Sequence, residues 1–548
     1  MRLYSTKLAF FLRSTSVLLS LFLGLSLILK GQNCIEFSTF DDSEKGVIDW
    51  SQFPEFELPF ELVYGLPNRN QDISAALKHG FTLAADPNSY SGLQNEQKAQ
   101  IYYGTAYAGQ NQPWEELRSP WGNDLSIYEN KWQNDFNFLS AQAGSQGILS
   151  SDIFCFDIER TFRFDFEILQ LKSNPDIPAE YRNLSDAEFL SQYKSDLRNL
   201  YARSVSSFLS KGTSNQPRIA SYSDTPIVNT FQNIQGKTWQ EWQTDKSVLN
   251  YICTDENGDV GGPFYDQMDI ATPSAYYYYD YPHPFAGEYL SYLLFQIEAN
   301  KAWTNKPVIP FVWMRYSFNE NVVNQYIKPW MAEATAIFPF FSGADGLWLW
   351  ENPVLFQSES SFVTYSHFLK GLYRLSLVKD FFEGDNQLVI ETSARDYNEN
   401  KEPIWRGVVK GDQILIAAHN PFASDENEEV TIGVKYQNWS TTVTLSGYET
   451  KLCVFDMSIL SSQKEAEEVA FPNPVKDNLK LQFTAKKTQD TEIRLLSESG
   501  KLLMTVDKTL NKGNNLIEIN VNELSVTSFF VDLKYDDKRF TKKIIRLE

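Results

Sequence analysis

Between Phe60 and Glu351 short apolar runs alternate with longer, helix-periodic stretches, the pattern of repeated β-α units. The strand candidates are Phe60 to Leu66, Phe81 to Asp86, Gln100 to Thr105, Ile153 to Glu159, Arg218 to Ser223, Met268 to Tyr276, Val308 to Arg315 and Gly346 to Glu351. Helices are predicted over Leu125 to Ala143, with Asn123 as cap, and over Ser185 to Lys211, where Ser185 and Glu188 form a capping box. Tyr289 to Trp303 and Val322 to Phe338 have the same period. Eight such units predict a (β/α)8 TIM barrel of roughly 250 residues plus insertions, whose active site lies at the C-terminal strand ends.

Near Lys379 the pattern changes to short alternating runs between polar turns: Leu388 to Glu391, Trp405 to Val409, Ile414 to Ala418, Val430 to Tyr436, Thr441 to Leu445 and Lys451 to Phe455. These predict a small antiparallel sandwich. The charged stretch Ser461 to Glu468 reads as linker, and a second small all-β unit follows. The expected division is residues 1–32 signal peptide, 33–378 barrel, 379–458 accessory β-sandwich, 459–469 linker and 470–548 a C-terminal β domain.

The fourth strand candidate carries the densest chemistry. In S-D-I-F-C-F-D-I-E-R (Ser151 to Arg160), alternation sends Cys155, Asp157 and Glu159 to one face and Phe156 and Ile158 to the other. Same-face neighbours are about 6 to 7 Å apart, so both acids converge on one ligand. Paired carboxylates are what glycosidic-bond hydrolysis needs. The alternative is an ion-pair network at the barrel mouth with Arg160 or Arg163. Glu351, closing the eighth strand, is a rival acid. Trp348 and Trp350 are read as pointing to opposite faces, so that one of them is core.

Composition narrows the partners. A net charge of -21 disfavours nucleic acid and anionic membrane surfaces, which reward clustered Lys and Arg. The chain is 42% hydrophobic and 15% aromatic, too apolar for a disordered chain and suited to carbohydrate platforms. Arg2, Lys7 and Arg13 before the apolar run Val17 to Leu29 predict a secretory signal peptide cleaved near Gly31 or Gln32, leaving no transmembrane helix in the mature protein. Cys34, Cys155, Cys253 and Cys453 form no CxxC pair, so no metal site is expected, and one disulfide remains open. Isolated histidines, and the lack of nucleophile-elbow, G-x-G-x-x-G or Walker motifs, leave a hydrolytic triad and nucleotide cofactors unsupported. No cofactor is expected.

Three ordered motifs, F-P-N-P-V-K-D-N-L-K-L (Phe471 to Leu481), I-R-L-L-S-E-S-G-K-L-L (Ile493 to Leu503) and the terminal K-K-I-I-R-L, closely resemble the type A C-terminal sorting domain of the type IX secretion system. Thr527, Ser528, Phe529 and Phe530 replace its usual glycine and tyrosine before the penultimate strand. The resemblance implies a Bacteroidetes-type protein exported through the periplasm, then released or held at the outer cell surface. Its expected partner is the type IX machinery, engaged through residues 470–548. An ordinary carbohydrate-binding sandwich is the alternative.

The central region distantly resembles chitinase-like and hyaluronidase-like (β/α)8 enzymes. Chitinase-like enzymes carry D-x-x-D-x-D-x-E at the end of strand four, and Asp152, Cys155, Asp157 and Glu159 occupy those positions, Cys155 being the departure. The D-x-E of hyaluronidase-like enzymes fits without exception. The resemblance implies Glu159 as general acid, Asp157 as the carboxylate orienting an acetamido group, and Asp152 as a structural acid. G-A-D-G-L-W-L-W (Gly343 to Trp350) resembles the hyaluronidase strand-eight segment, making Trp350 the floor under a sugar ring. P-S-A-Y-Y-Y-Y-D-Y (Pro273 to Tyr281) and P-V-I-P-F-V-W-M-R-Y (Pro307 to Tyr316) are similar to strands six and seven, making Tyr276, Tyr278 and Arg315 substrate-binding candidates. The expected function is a secreted or surface-anchored glycoside hydrolase acting on a polysaccharide, N-acetylhexosamine-containing where the substrate-assisted retaining route is used. The alternatives are a non-catalytic surface glycan-binding protein, with Cys155 as its hint, and an adhesin.

Overall fold

The structure, a computed structural model, describes residues 32–65, 73–85, 90–103, 120–121, 124–158, 164–213, 217–228, 234–317, 319, 321–322, 325–351, 362–458, 469–536 and 538–547. It is a multidomain α/β protein with a parallel-sheet core and C-terminal antiparallel sheets. The N-terminal strand β1 (Gln32–Cys34) is followed by β2 (Glu61–Gly65), β3 (Leu83–Ala84), β4 (Ala99–Tyr102), β5 (Ile153–Phe156), β6 (Arg218–Tyr222), β7 (Ile270–Thr272), β8 (Phe311–Trp313) and β9 (Gly346–Trp350). Strands β2 to β9 fall on the eight expected runs. They form two parallel four-stranded sheets, ordered β3-β2-β9-β8 and β4-β5-β6-β7. Single parallel bridges join the sheet edges: Ala84 with Lys98, and Ala271 with Val308 and Ser274 with Phe311.

Each strand has two apolar faces, as a parallel sheet with helices outside requires. Inward residues Val63, Leu83, Ala99, Ile153, Cys155, Ala220, Ile270, Ile309, Phe311 and Trp348 form one core. Outward residues such as Phe154, Phe156 and Ile158 pack on helices, here Glu129–Gln142 and Asp186–Leu209. The second helix starts with the expected capping box between Ser185 and Glu188. The first is preceded by a short 3-10 turn capped by Asp124 rather than by Asn123, which lies outside the described residues. The helix expected over Val322 to Phe338 runs Pro329–Phe341 instead, because Pro329 fits a first helical turn, where its missing N–H costs nothing, and Lys328 before it is extended.

At the N-terminal ends of the strands Arg218 donates to Glu61 at 2.8 Å and also pairs with Asp152. Asp152 is therefore engaged on the face opposite the strand C-termini.

Strands β10 (Gln387–Val389), β11 (Ile404–Lys410), β12 (Gln413–His419), β13 (Glu429–Tyr436), β14 (Trp439–Ser446) and β15 (Thr450–Asp456) follow. One sheet is ordered β1-β15-β12-β11-β10, and β13 pairs with β14. Strand β1 thus joins a sheet built mainly by residues 387–456, and Cys34 faces Cys453 in register and is disulfide-bonded to it. A single apolar core runs from Leu62 and Leu347 through helices Tyr289–Lys301, Pro329–Phe341 and Val363–Ser376 to Ile404, Ala417 and Leu452. Buried ion pairs pin this junction: Arg406 donates to Glu298 at 2.7 Å, and Arg374 to Glu333 at 2.5 Å.

The last seven strands, β16 (Val469–Phe471) to β22 (Lys538–Ile545), form antiparallel sheets ordered β16-β17-β20 and β19-β18-β21-β22 around a separate core. Among the described residues no helix is long and apolar enough to cross a membrane.

Candidate active site

Strand β5 sends Ile153 and Cys155 inward, and the next inward position is Asp157. Its carboxylate is buried, 8% exposed, and its backbone N–H donates to the carbonyl of Tyr102 at 3.4 Å. Glu159 lies outside the described residues. The Cys155 thiol is pushed well up by burial and then by the negative charge of Asp157, so it stays a neutral thiol.

An aromatic wall stands beside Asp157. Tyr276 stacks on Trp350 with centroids 5.6 Å apart, Trp313 meets Trp350 edge-on at 4.8 Å, and Tyr276 lies 5.5 Å from Trp313. Tyr222 packs 5.9 Å from Tyr276 and donates its hydroxyl to Ser274 Oγ at 2.9 Å. The Trp350 indole N–H donates to the Tyr103 hydroxyl at 3.4 Å. The Tyr276 phenol is held well above its ordinary value by burial first, then by Tyr222, Asp157 and Tyr103. It therefore stays a hydrogen-bond donor at any working pH, with the Asp157 charge close by.

The structure thus brings Asp157, Tyr276 and Trp350 together. Arg315, two residues beyond Trp313, is buried, donates from Nε to Glu351 at 2.9 Å, and reaches the Tyr326 hydroxyl from Nη2 at 2.9 Å. Glu351 is 1% exposed. Tyr278 lies on the segment after β7, its carbonyl accepting from Asn319 Nδ2 at 2.9 Å and its ring meeting Tyr279 edge-on. Trp348 and Trp350 do not point to opposite faces. They stand two residues apart on one strand, so both project inward: Trp348 is fully buried against Phe311, and Trp350 occupies the layer above.

Tyr103, Tyr222 and Trp313 belong to the same cluster and were not singled out from sequence. A signal for them exists: each lies two residues beyond an inward residue of its own strand, after Ile101, Ala220 and Phe311. Asp157 after Cys155 and Trp350 after Trp348 follow the same rule.

A model of the secretion system C-terminal sorting domain matches residues 469–547. The chain therefore carries a type IX sorting tail and is exported by that route to the cell surface or beyond, with the type IX machinery as its partner. No curated protein matches the chain at a significant level. Among solved structures, bee venom hyaluronidase is 12% identical, with 57% of this chain and 99% of that one covered at a TM-score of 0.36. The same enzyme in complex with a hyaluronic acid tetramer gives 12%, 58%, 98% and 0.37. A beta-glucuronidase of Parabacteroides merdae is 10% identical, covering 90% of this chain and 63% of that one at 0.25. At such scores the likenesses carry no argument about activity or substrate.

Proposed function

We propose that this exported protein is a glycoside hydrolase whose active site is the strand-end cluster around Asp157. The observation that carries the reading is a buried carboxylate set beside a wall of Tyr276, Trp350 and Trp313 at the C-terminal ends of parallel strands. Aromatic faces present flat apolar surface to the C–H faces of sugars, and a carboxylate kept from bulk water interacts more strongly with charge developing on a ring. The parallel bridges at both sheet edges support closure of β2 to β9 into a (β/α)8 barrel, where the strand C-termini form the working face. We keep the division into a barrel unit at 33–378, an accessory sandwich at 379–458, a linker at 459–469 and the sorting domain at 470–548.

In this reading the substrate is a polysaccharide containing N-acetylhexosamine, cleaved with retention by the substrate-assisted route. The acetamido oxygen of the substrate attacks the anomeric carbon as the glycosidic C–O bond breaks. Glu159 gives its proton to the leaving oxygen. Asp157 accepts the acetamido N–H and stabilises the cyclic cation, and Tyr276 donates from the wall. Water then attacks the anomeric carbon, Glu159 takes the water proton, and the ring-opened acetamide is restored.

The test is hydrolysis of a glycan panel by Glu159→Gln and Asp157→Asn. Each substitution is expected to lower kcat by about 10²–10⁴-fold with little change in melting temperature. Undiminished hydrolysis by both variants would sink the assignment.

Cys155 favours a second reading, a surface glycan-binding protein on an inactive barrel, because a neutral buried thiol stands where chitinase-like enzymes place an acid. Calorimetric binding of oligosaccharides without any product over long incubation selects that reading.

A further inference from the structure

Beside the aromatic wall lies a buried polar network that catalysis as described does not use. Glu351 receives the Trp313 indole N–H on Oε1 at 3.1 Å and Arg315 Nε–H on Oε2 at 2.9 Å, and the Tyr365 hydroxyl donates to the same Oε2. The Arg315 guanidinium also lies over the Tyr326 ring, 4.1 Å from its centroid. Each of these three groups donates to Glu351, so both oxygens of its carboxyl group are engaged.

We propose that Glu351 is the positioning residue of the aromatic wall, fixing the Trp313 indole through its N–H while Arg315 and Tyr365 fix the carboxylate. The proposal rests on the reading of the wall as a glycan-binding surface. Trp313 is the middle of that wall, touching both Tyr276 and Trp350. An indole has two broad orientations about its outer torsion. A charge-assisted hydrogen bond to a carboxylate selects one of them, and Tyr276 and Trp350 then have one surface to pack on. Trp313 sits on β8 and Glu351 directly follows β9, and these strands pair with Trp313 opposite Trp350, so the device locks two adjacent strand ends together at the mouth.

In Glu351→Gln an amide NH2 replaces one acceptor, so either Trp313 or the Arg315–Tyr365 side meets a donor. Trp313→Phe removes the N–H and keeps an aromatic ring, leaving the Glu351–Arg315 pair intact. Both variants are expected to raise KM about tenfold with kcat within about threefold, because the apolar faces of Trp313 and Trp350 contribute equally to ground and transition states. The double variant is expected to be no worse than the worse single one. In the full chain, the indole N–H resonance absent from the spectrum of Trp313→Phe is expected to move upfield in Glu351→Gln. Loss of kcat with unchanged KM in Glu351→Gln, together with loss of one limb of its pH profile, overturns the proposal by making Glu351 a proton donor. An unmoved indole resonance also overturns it, as does additivity of the two substitutions. If the wild-type protein cleaves no glycan, the hydrolase reading fails separately. The resonance shift and a tenfold weaker oligosaccharide affinity in calorimetry then carry the test.

Discussion

Tyr276 and Tyr278 were equal candidates on the chain, and their surroundings now separate them. Tyr276 is packed between Tyr222, Trp313 and Trp350, and burial keeps its phenol protonated beside Asp157. Tyr278 packs its ring against Tyr279 on the segment after β7. Tyr276→Phe is therefore predicted to lower kcat/KM about 10- to 100-fold, the loss of one buried donor to developing charge, whereas Tyr278→Phe leaves it within about twofold. Steady-state kinetics of the two variants side by side check this. Arg315 shows what residue type alone does not reveal. A strand-end arginine in an aromatic segment reads as a substrate ligand, but its partner Glu351 lies 36 residues away on the neighbouring strand, a proximity that no local spacing encodes.

At the level of elements, the strands were the most legible part. The runs from Phe60 to Glu351 are apolar on both faces because the sheets are covered on both, and that leaves a strong mark on the sequence. Which inward residue ends each strand is equally encoded in the two-residue period, which carries Cys155 on to Asp157 and puts Trp348 and Trp350 on one face rather than on two. The pairing of β1 with β15 was not legible, since three residues carry no periodicity. Strand β12 yields a prediction of its own. His419 ends it, buried against Trp330 and Phe338 where the accessory sheet meets helix Pro329–Phe341, and burial holds its imidazole at about 4 against an ordinary 6.5. Above pH 6.5 neither the folded nor the unfolded chain protonates it. As pH falls from 6.5 to 4 the unfolded chain takes up a proton that the folded one refuses, and about 3 kcal/mol of stability is lost. Glu333 acts later. Burial alone raises it, but His367, Arg374 and Lys370 bring it down to about 2, so its contribution is full above its ordinary 4.5 and fades as pH falls through about 2. Thermal melts of wild type and His419→Gln between pH 7 and 4 are predicted to show a falling melting temperature in the first and a flatter one in the second.

Across the whole molecule, one core joins the sheet β3-β2-β9-β8 to the accessory sheet, two more lie inside and around the parallel strands, and residues 469–547 own another. The two bodies meet where Phe471 fills the space that a side chain at Gly433 would need and where Gln482 donates to Ser440 at 3.0 Å. Calorimetry is predicted to show two transitions. Removing one partner of the buried Arg406–Glu298 pair, as in Arg406→Met, is predicted to cost about 3–5 kcal/mol in the larger transition alone, because it strands a buried carboxylate. Cys34→Ser is predicted to lower the same transition by about 2–5 kcal/mol and to leave the smaller one in place.

The disulfide between Cys34 and Cys453 spans 419 positions of sequence, and this sets an order of events in folding. Contacts so far apart along a chain form late, after the cost of closing the loop has been met by everything inside it. The stretch that leaves the ribosome among the first is thus predicted to be among the last to find its place, with β1 joining β15 after the residues between them have folded, an order that pulsed hydrogen exchange of the two strands checks. The lock between β1 and β15 is then set only where thiols are oxidised, on the far side of the membrane from synthesis.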